Sequence, residues 1–183
     1  AHPLLLSRGN EREHTMTATD TALVPVHAAD PKPITGLNTA VSFATVGACS
    51  ATLLHVLNRS YGHPLKDEVV ASNPLAGGIT QNGYQCGQLW GASLAAGAEA
   101  HRRFGANGKA EVAAVRASQR LVKAFEEMND NVNCLELIEM SGADMKKLSC
   151  VLRYFVKAGP LSCGRMAMRF APMARQIIDD TFD

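Results

Sequence analysis

Four of the five cysteines, Cys49, Cys86, Cys134 and Cys163, are spread widely along the 183-residue chain. Thiols can ligate a metal, exchange a disulfide or pack as small apolar groups. No two cysteines here are separated by two residues, which excludes a local zinc ribbon and a CxxC redox pair. Whatever the four share must therefore be assembled by folding. The options are a tertiary metal site, a thiol pair brought together by packing, or a set of unrelated buried thiols.

The most specific local run is Gly77, Gly78, then Gly83, Tyr84, Gln85, Cys86, Gly87, Gln88, Leu89, Trp90, Gly91 and Ala92. It places Cys86 where a glycine-rich loop enters a helix. Orphan backbone N–H groups and the positive end of the helix dipole favour thiolate there, so Cys86 is expected to be the most acidic thiol. Gly77, Gly78, Gly83 and Gly87 would let backbone approach whatever the sulfur binds, and nearby N–H groups could bond to sulfide or another anion. The plainer reading is that these glycines only make a turn and that Gly91 only makes a helix contact.

The elements that must position these residues are helical. Leu37 to Tyr61 carries apolar residues at helical spacing, Val41, Phe43, Val46, Leu53, Leu54 and Leu57, and is closed by Gly62 with Pro64 following. A short helix is expected within Pro64 to Ser72, stopping before Pro74. Asn73 to Gln85 is irregular, and Cys86 to Phe104 returns to an Ala, Leu and Gly pattern. Its small residues, Gly87, Gly91, Ala92, Ala95, Ala96 and Ala98, invite another backbone. Lys109 to Met128 reads as amphipathic, with Val112, Val115, Leu121, Val122 and Phe125 on the apolar face. A turn at Cys134 to Met140, a helix at Met145 to Lys157 and a terminal pattern from Cys163 follow. Pro172 makes the last one kinked helix or two, Cys163 to Phe170 and Ala171 to Phe182. No period-two alternation stands out, so the expected fold is an all-α, single-domain helical bundle with a glycine-rich loop before its central helix.

Composition narrows the function classes. Apolar residues make up 46% and charged residues 19%, which fits one globular domain. A net charge of +1 leaves no electrostatic footprint for nucleic acid. Residues 1–35, with Pro3, Pro25, Pro31 and Pro33, read as a flexible N-terminal arm, and residues 36–183 as the helical domain. No secretory leader is evident, and free cysteines lean towards the cytoplasm, or the periplasm if a leader has been removed. Thr39 to Leu57 is nearly long enough to span a membrane, but Ser42, Thr45, Gly47, Ser50, Thr52 and His55 make it a core helix rather than a transmembrane span.

The cysteine and glycine pattern resembles that of a family of putative redox-active proteins named C_GCAxxG_C_C. The matching positions are Cys49 with Ser50 and Ala51, Gly77 and Gly78, Cys86 and Gly87 with Gly91 and Ala92, Cys134 with Leu135 and Leu137, and Cys163. Gln88 stands where the pattern has alanine, a change expected to alter the helix surface. The resemblance favours Cys163 over Cys150 as the fourth member, because Cys163 leads into the terminal helix; Cys150, between Leu148 and Leu152, reads as core. It implies redox activity and a helical domain similar to that of split-Soret cytochromes c. The CxxCH attachment sequence is absent, so covalent c-type haem is not carried over. Four converging thiolates would suit an iron–sulfur cluster or a closed zinc site.

Other features carry less chemistry. His55 lies six residues from Cys49, on a different helix face. His63 suits a cap or surface position. His101, Arg102 and Arg103 form a helix C-terminus, with docking of an acidic redox partner as the sharper alternative. Met166, Met168 and Met173 read as core or interface filler rather than soft-metal ligands. No GxSxG, P-loop, HExxH or dinucleotide fingerprint occurs. The leading expectation is an electron-transfer protein with an iron–sulfur site and a redox partner protein. The alternatives are a thiol–disulfide protein with Cys86 as attacking thiolate, and an interaction module, homodimeric through the small-residue face after Cys86, with no cofactor.

Overall fold

Gly47 divides what the apolar period presents as one helix. A computed structural model describes residues 29–139 and 162–183. Helix α1, Gly36–Val46, opens with the Thr35 side chain accepting from the Asn38 N–H and closes where Gly47, at φ 83°, donates its N–H to the Phe43 carbonyl. Ala48 is extended, and α2, Cys49–Ser60, starts at the next residue. The single helix expected from Leu37 to Tyr61 is thus corrected to two, because glycine enters the left-handed region without a Cβ clash. The break makes Cys49 the first residue of a helix instead of an interior one.

Helix α3, Lys66–Ala71, stops at a 3₁₀ turn, Asn73–Leu75, that contains Pro74. A short turn α4, Ala76–Ile79, leads to the long α5, Gly87–Phe104. Asn107 caps α6, Gly108–Asn129, by accepting from the N–H groups of Lys109 and Ala110. The turn α7, Cys134–Leu137, and the terminal α8, Cys163–Phe182, complete the described elements. Helix α8 runs through Pro172 as one helix. No strand forms among the described residues; the nearest approach is an isolated antiparallel bridge between Gln85 and Asn133. The fold is all-α, as expected. The helix expected at Met145 to Lys157, Cys150 within it, and most of the N-terminal arm lie outside the described residues. The end of the arm is tied to the body: the Ala29 N–H donates to the Gly62 carbonyl at 2.7 Å and that of Lys32 to Arg59 at 3.2 Å.

Helix α5 lies between α2 and α6, and α8 packs across α1, α2 and α6. The core contains Leu53, Leu54 and Leu57 of α2, Leu89 of α5, Leu121 and Phe125 of α6, and Phe170 and Ile178 of α8. Phe125 and Phe170 meet edge to face at 4.8 Å, and fully burying such a side chain stabilises by about 1.5–3 kcal/mol. Ala92, Ala95, Ala96 and Ala100 are fully buried, and a Cβ at Gly91 would overlap the Ser50 carbonyl oxygen. Most of the small-residue stripe is therefore buried within the chain, with Gly91 against α2, while Ala98 is half-buried. Close packing also corrects the register of α6: Ala110, Ala117, Leu121 and Phe125 face inward, while Val112 and Val115 are 51% and 56% exposed. Val41 of α1 is likewise exposed. Helices that approach closely seat alanine better than branched valine.

The basic end of α5 is engaged by acidic groups of the same chain. Arg102 and Arg103 both donate to the carboxylate of buried Glu99, at 2.9 and 2.8 Å. Arg103 also reaches Asp179 at 2.6 Å and Asp183 at 3.1 Å, both on or after the last turn of α8. Arg175 binds Asp179 at 2.7 Å, donates to the Ser60 carbonyl at 2.8 Å and stacks 3.7 Å from the Tyr61 ring centroid. These bonds fasten the end of α8 to α2 and α5, which spends the guanidinium groups inside the molecule. No described helix is long and apolar enough to cross a membrane.

Candidate functional site

All four cysteines stand at helix starts. Cys49 is the first residue of α2, Cys134 of α7 and Cys163 of α8, and Cys86 is the N-cap of α5. Cys86 and Cys134 are joined by the isolated bridge. The Cys86 N–H donates to the Val132 carbonyl and the Cys134 N–H to the Tyr84 carbonyl, each at 2.8 Å, on either side of the Gln85 and Asn133 pair. Gly83, at φ 80°, makes this approach possible, because a Cβ there would overlap the Leu135 side chain. Cys49 is set by a different bond: the Ser50 hydroxyl donates to the Ser72 carbonyl at 2.7 Å and anchors the first turn of α2 to the end of α3.

The glycines divide their tasks. Gly77 and Gly78, at φ 68° and 66°, begin a left-handed run that continues through Ile79, Thr80 and Gln81. Gly78 yields to the backbone of Tyr84, which a Cβ would overlap. Gly87 is the glycine that meets a cysteine sulfur: a Cβ there would lie 2.5 Å from Cys49 Sγ. Gly77 contributes through its backbone, which joins those of Ser50, Cys49 and Gly87 in stabilising a Cys49 thiolate by hydrogen bonding.

The four thiols lie within reach of one another's charge. Burial pushes Cys86 well above its ordinary value, and the charges of Cys49, Cys134 and Cys163 each push it further. Cys134 is pushed up to about 12 by burial and by Cys49. Cys163 is pushed up to about 12 by burial, Cys49 and Cys134. Cys49 is raised by burial against the opposing backbone hydrogen bonds. Every pair among the four is thus within electrostatic reach. Cys86 and Cys134 are 4% and 5% exposed, while Cys49 and Cys163 are half-buried. The expectation that Cys86 is the most acidic thiol is overturned. The Gln88 N–H at the helix start does lower its pKa, but desolvation outweighs that bond.

Sequence reading missed Gln88. It is fully buried rather than a surface change, and its Nε2 donates to the Cys163 carbonyl at 2.9 Å. Its Oε1 and the Trp90 Nε1–H, one turn beyond Cys86, are buried without partners among the described residues. The signal available was the position itself, a long amide two residues after Cys86 in a stretch of small residues. His55 turns away from the thiols: Arg59 Nη1 lies 3.3 Å from its Nε2, and burial followed by the Arg59 charge holds its pKa down.

Gly87 leaves room for Cys49 Sγ itself, and the Trp90 Nε1–H is a buried donor to which no acceptor is supplied among the described residues. Among the described residues no three His, Cys, Asp or Glu side chains are grouped closely enough to hold a metal ion. The sulfurs therefore sense one another's charge without forming a ready single-ion cage.

No curated protein and no solved structure matches the chain. A family model described as "Putative redox-active protein (C_GCAxxG_C_C)" matches residues 48–177, a span that holds Cys49, Cys86, Cys134 and Cys163 and the glycines Gly77, Gly78, Gly83 and Gly87. With most of its length matched, the chain belongs to the C_GCAxxG_C_C family of redox-active proteins.

Proposed function

We propose that Cys49, Cys86, Cys134 and Cys163 together ligate an iron–sulfur cluster and that the chain transfers electrons through it. The observation that supports this reading is that four cysteines, each at a helix start, lie within electrostatic reach of one another at partly or fully buried positions. Four thiols whose pKa values are raised, by burial first, are neutral at pH 7 when free, so holding them as thiolates needs a compensating positive group. When bound, an iron–sulfur cluster supplies one-electron transfer at a potential set by hydrogen bonds and solvent exposure. The chain's part is to hold the sulfurs, to direct backbone N–H groups at Cys49, and to keep water from Cys86 and Cys134. A zinc ion with bonds of about 2.3 Å would need the four sulfurs drawn into near contact.

The thiol–disulfide alternative is weakened at its attacking group, since Cys86 has little thiolate at neutral pH. An electron carrier also requires a donor and an acceptor protein, which belong to the proposal.

The test is iron and acid-labile sulfide content, with an absorption spectrum, on protein purified without oxygen. Matching iron and sulfide that disappear in Cys86→Ser are expected. Zinc without sulfide would make the site a structural staple. Neither metal nor sulfide, even after reconstitution, would overturn the cluster and turn attention to which cysteines pair. Unchanged thiol counts before and after mild reduction would then remove the disulfide reading as well.

A further inference from the structure

We propose that Gln88 is a positioning residue that holds Cys163, and with it the start of α8, in register with Cys86. The inference rests on reading the four cysteines as one site, and it adds a residue that is not itself a ligand. Cys163 is the most distant of the four in sequence from Cys86, and among the described residues no backbone pairing comparable to the bridge between Gln85 and Asn133 ties the two. The Gln88 amide fills that place: it leaves the first turn of α5 two residues after Cys86 and donates to the Cys163 carbonyl at 2.9 Å. A primary amide with no exposed surface is costly unless its bonds are made. Packing alone would be served as well by an apolar side chain of the same length, so the bond to Cys163 is what the amide adds. The spare Oε1 remains an acceptor on the inner side of the same helix start.

Two measurements test this on the reduced chain as purified, with metal content recorded on each sample. The first is the alkylation rate of each cysteine by iodoacetamide under native conditions, read by peptide mass spectrometry, in wild type, Gln88→Met and Gln88→Ala. Methionine keeps the length and apolar packing and removes the donor. Cys163 should react at least fivefold faster in both variants, while Cys134, which the bridge to Tyr84 holds independently, should stay within twofold. No change at Cys163, or an equal rise at every cysteine, would overturn the proposal, the latter because it would mean general loosening. The second needs no variant: in wild type labelled with ¹⁵N-glutamine, the Gln88 side-chain amide protons should exchange with solvent at least tenfold slower than those of exposed Gln81. Equal exchange would overturn the bond itself. Neither readout needs iron, so the absence of a cluster would remove the proposed function and leave the Gln88 result interpretable.

Discussion

The sulfur of Cys49 lies against Gly87 so closely that a Cβ added to Gly87 would sit 2.5 Å from it, and 3.0 Å from the Leu75 carbonyl oxygen. The glycine is needed for space, since its φ is not in the left-handed region. Gly87→Ala sets two effects against each other. Alanine gains up to about 1 kcal/mol in helix propensity, while overpacking against a sulfur and a carbonyl costs about 1–3 kcal/mol. The collision should win, lowering stability and the iron content of reconstituted protein. Gly97, on the same helix with open space around it, supplies the control: Gly97→Ala should stabilise by about 0.5–1 kcal/mol. Urea unfolding of both variants checks this. Equal stabilisation of the two would mean that Gly87 is not a packing constraint.

Arg103 carries a second prediction. It joins Glu99 on its own helix to Asp179 and Asp183, with side-chain exposures of 28% for Arg103 and 9% for Glu99. Part of each bond is screened by solvent, so Arg103→Met should cost about 1–2 kcal/mol in thermal or urea unfolding, more than a free surface charge would. Thiol reactivity at the four cysteines should be unchanged, because the network sits at the opposite end of α5 from Cys86. A variant as stable as wild type that lost affinity for an acidic partner protein would restore the docking reading.

What the sequence disclosed depended on how local the cause was. The start of α5 at Cys86 was readable because the glycines before it and the alanines after it are neighbours in the chain. The helix start at Cys49 was hidden, since one glycine, Gly47, interrupts an apolar run whose period continues on both sides. Val112 and Val115 were placed inside by hydrophobicity, but the closeness of α5 admits only the alanine face of α6. The pairing of Arg103 with Glu99, four residues earlier, is local, but that with Asp179, 76 residues away, is not. The acidity expected of Cys86 followed from its helix end alone; burial among three other thiols is a tertiary fact that no local pattern contains.

Residues 79–81 give a third prediction. Ile79, Thr80 and Gln81 all have positive φ, 60°, 49° and 65°, a conformation that costs roughly 1–2 kcal/mol per non-glycine residue. Gln81 is exposed, so replacing it removes little packing. Gln81→Gly should raise stability by about 0.5–1 kcal/mol after the extra entropy of glycine in the unfolded chain is deducted. Ile79→Gly should gain less, because Ile79 is half-buried. Paired urea titrations decide it, and a destabilised Gln81→Gly would show that the left-handed turn is not strained at that position.

The burial of the thiols predicts how the metal-free, reduced fold responds to base. Cys134 and Cys163 have an ordinary value of 9.0 and are pushed up to about 12 in the folded chain, by burial first and by neighbouring cysteines second. Between those values the unfolded chain has lost its thiol protons while the folded chain keeps them. The unfolded state then binds fewer protons, and the stability of the fold falls as pH rises. The urea midpoint should therefore be insensitive to these groups at pH 7, begin to fall near pH 9 and continue falling towards pH 12. Other groups also titrate in that range, so the informative quantity is the difference from a Cys134→Ser, Cys163→Ser double variant, whose profile should be flatter. Parallel profiles would mean that these two thiols are not buried in solution.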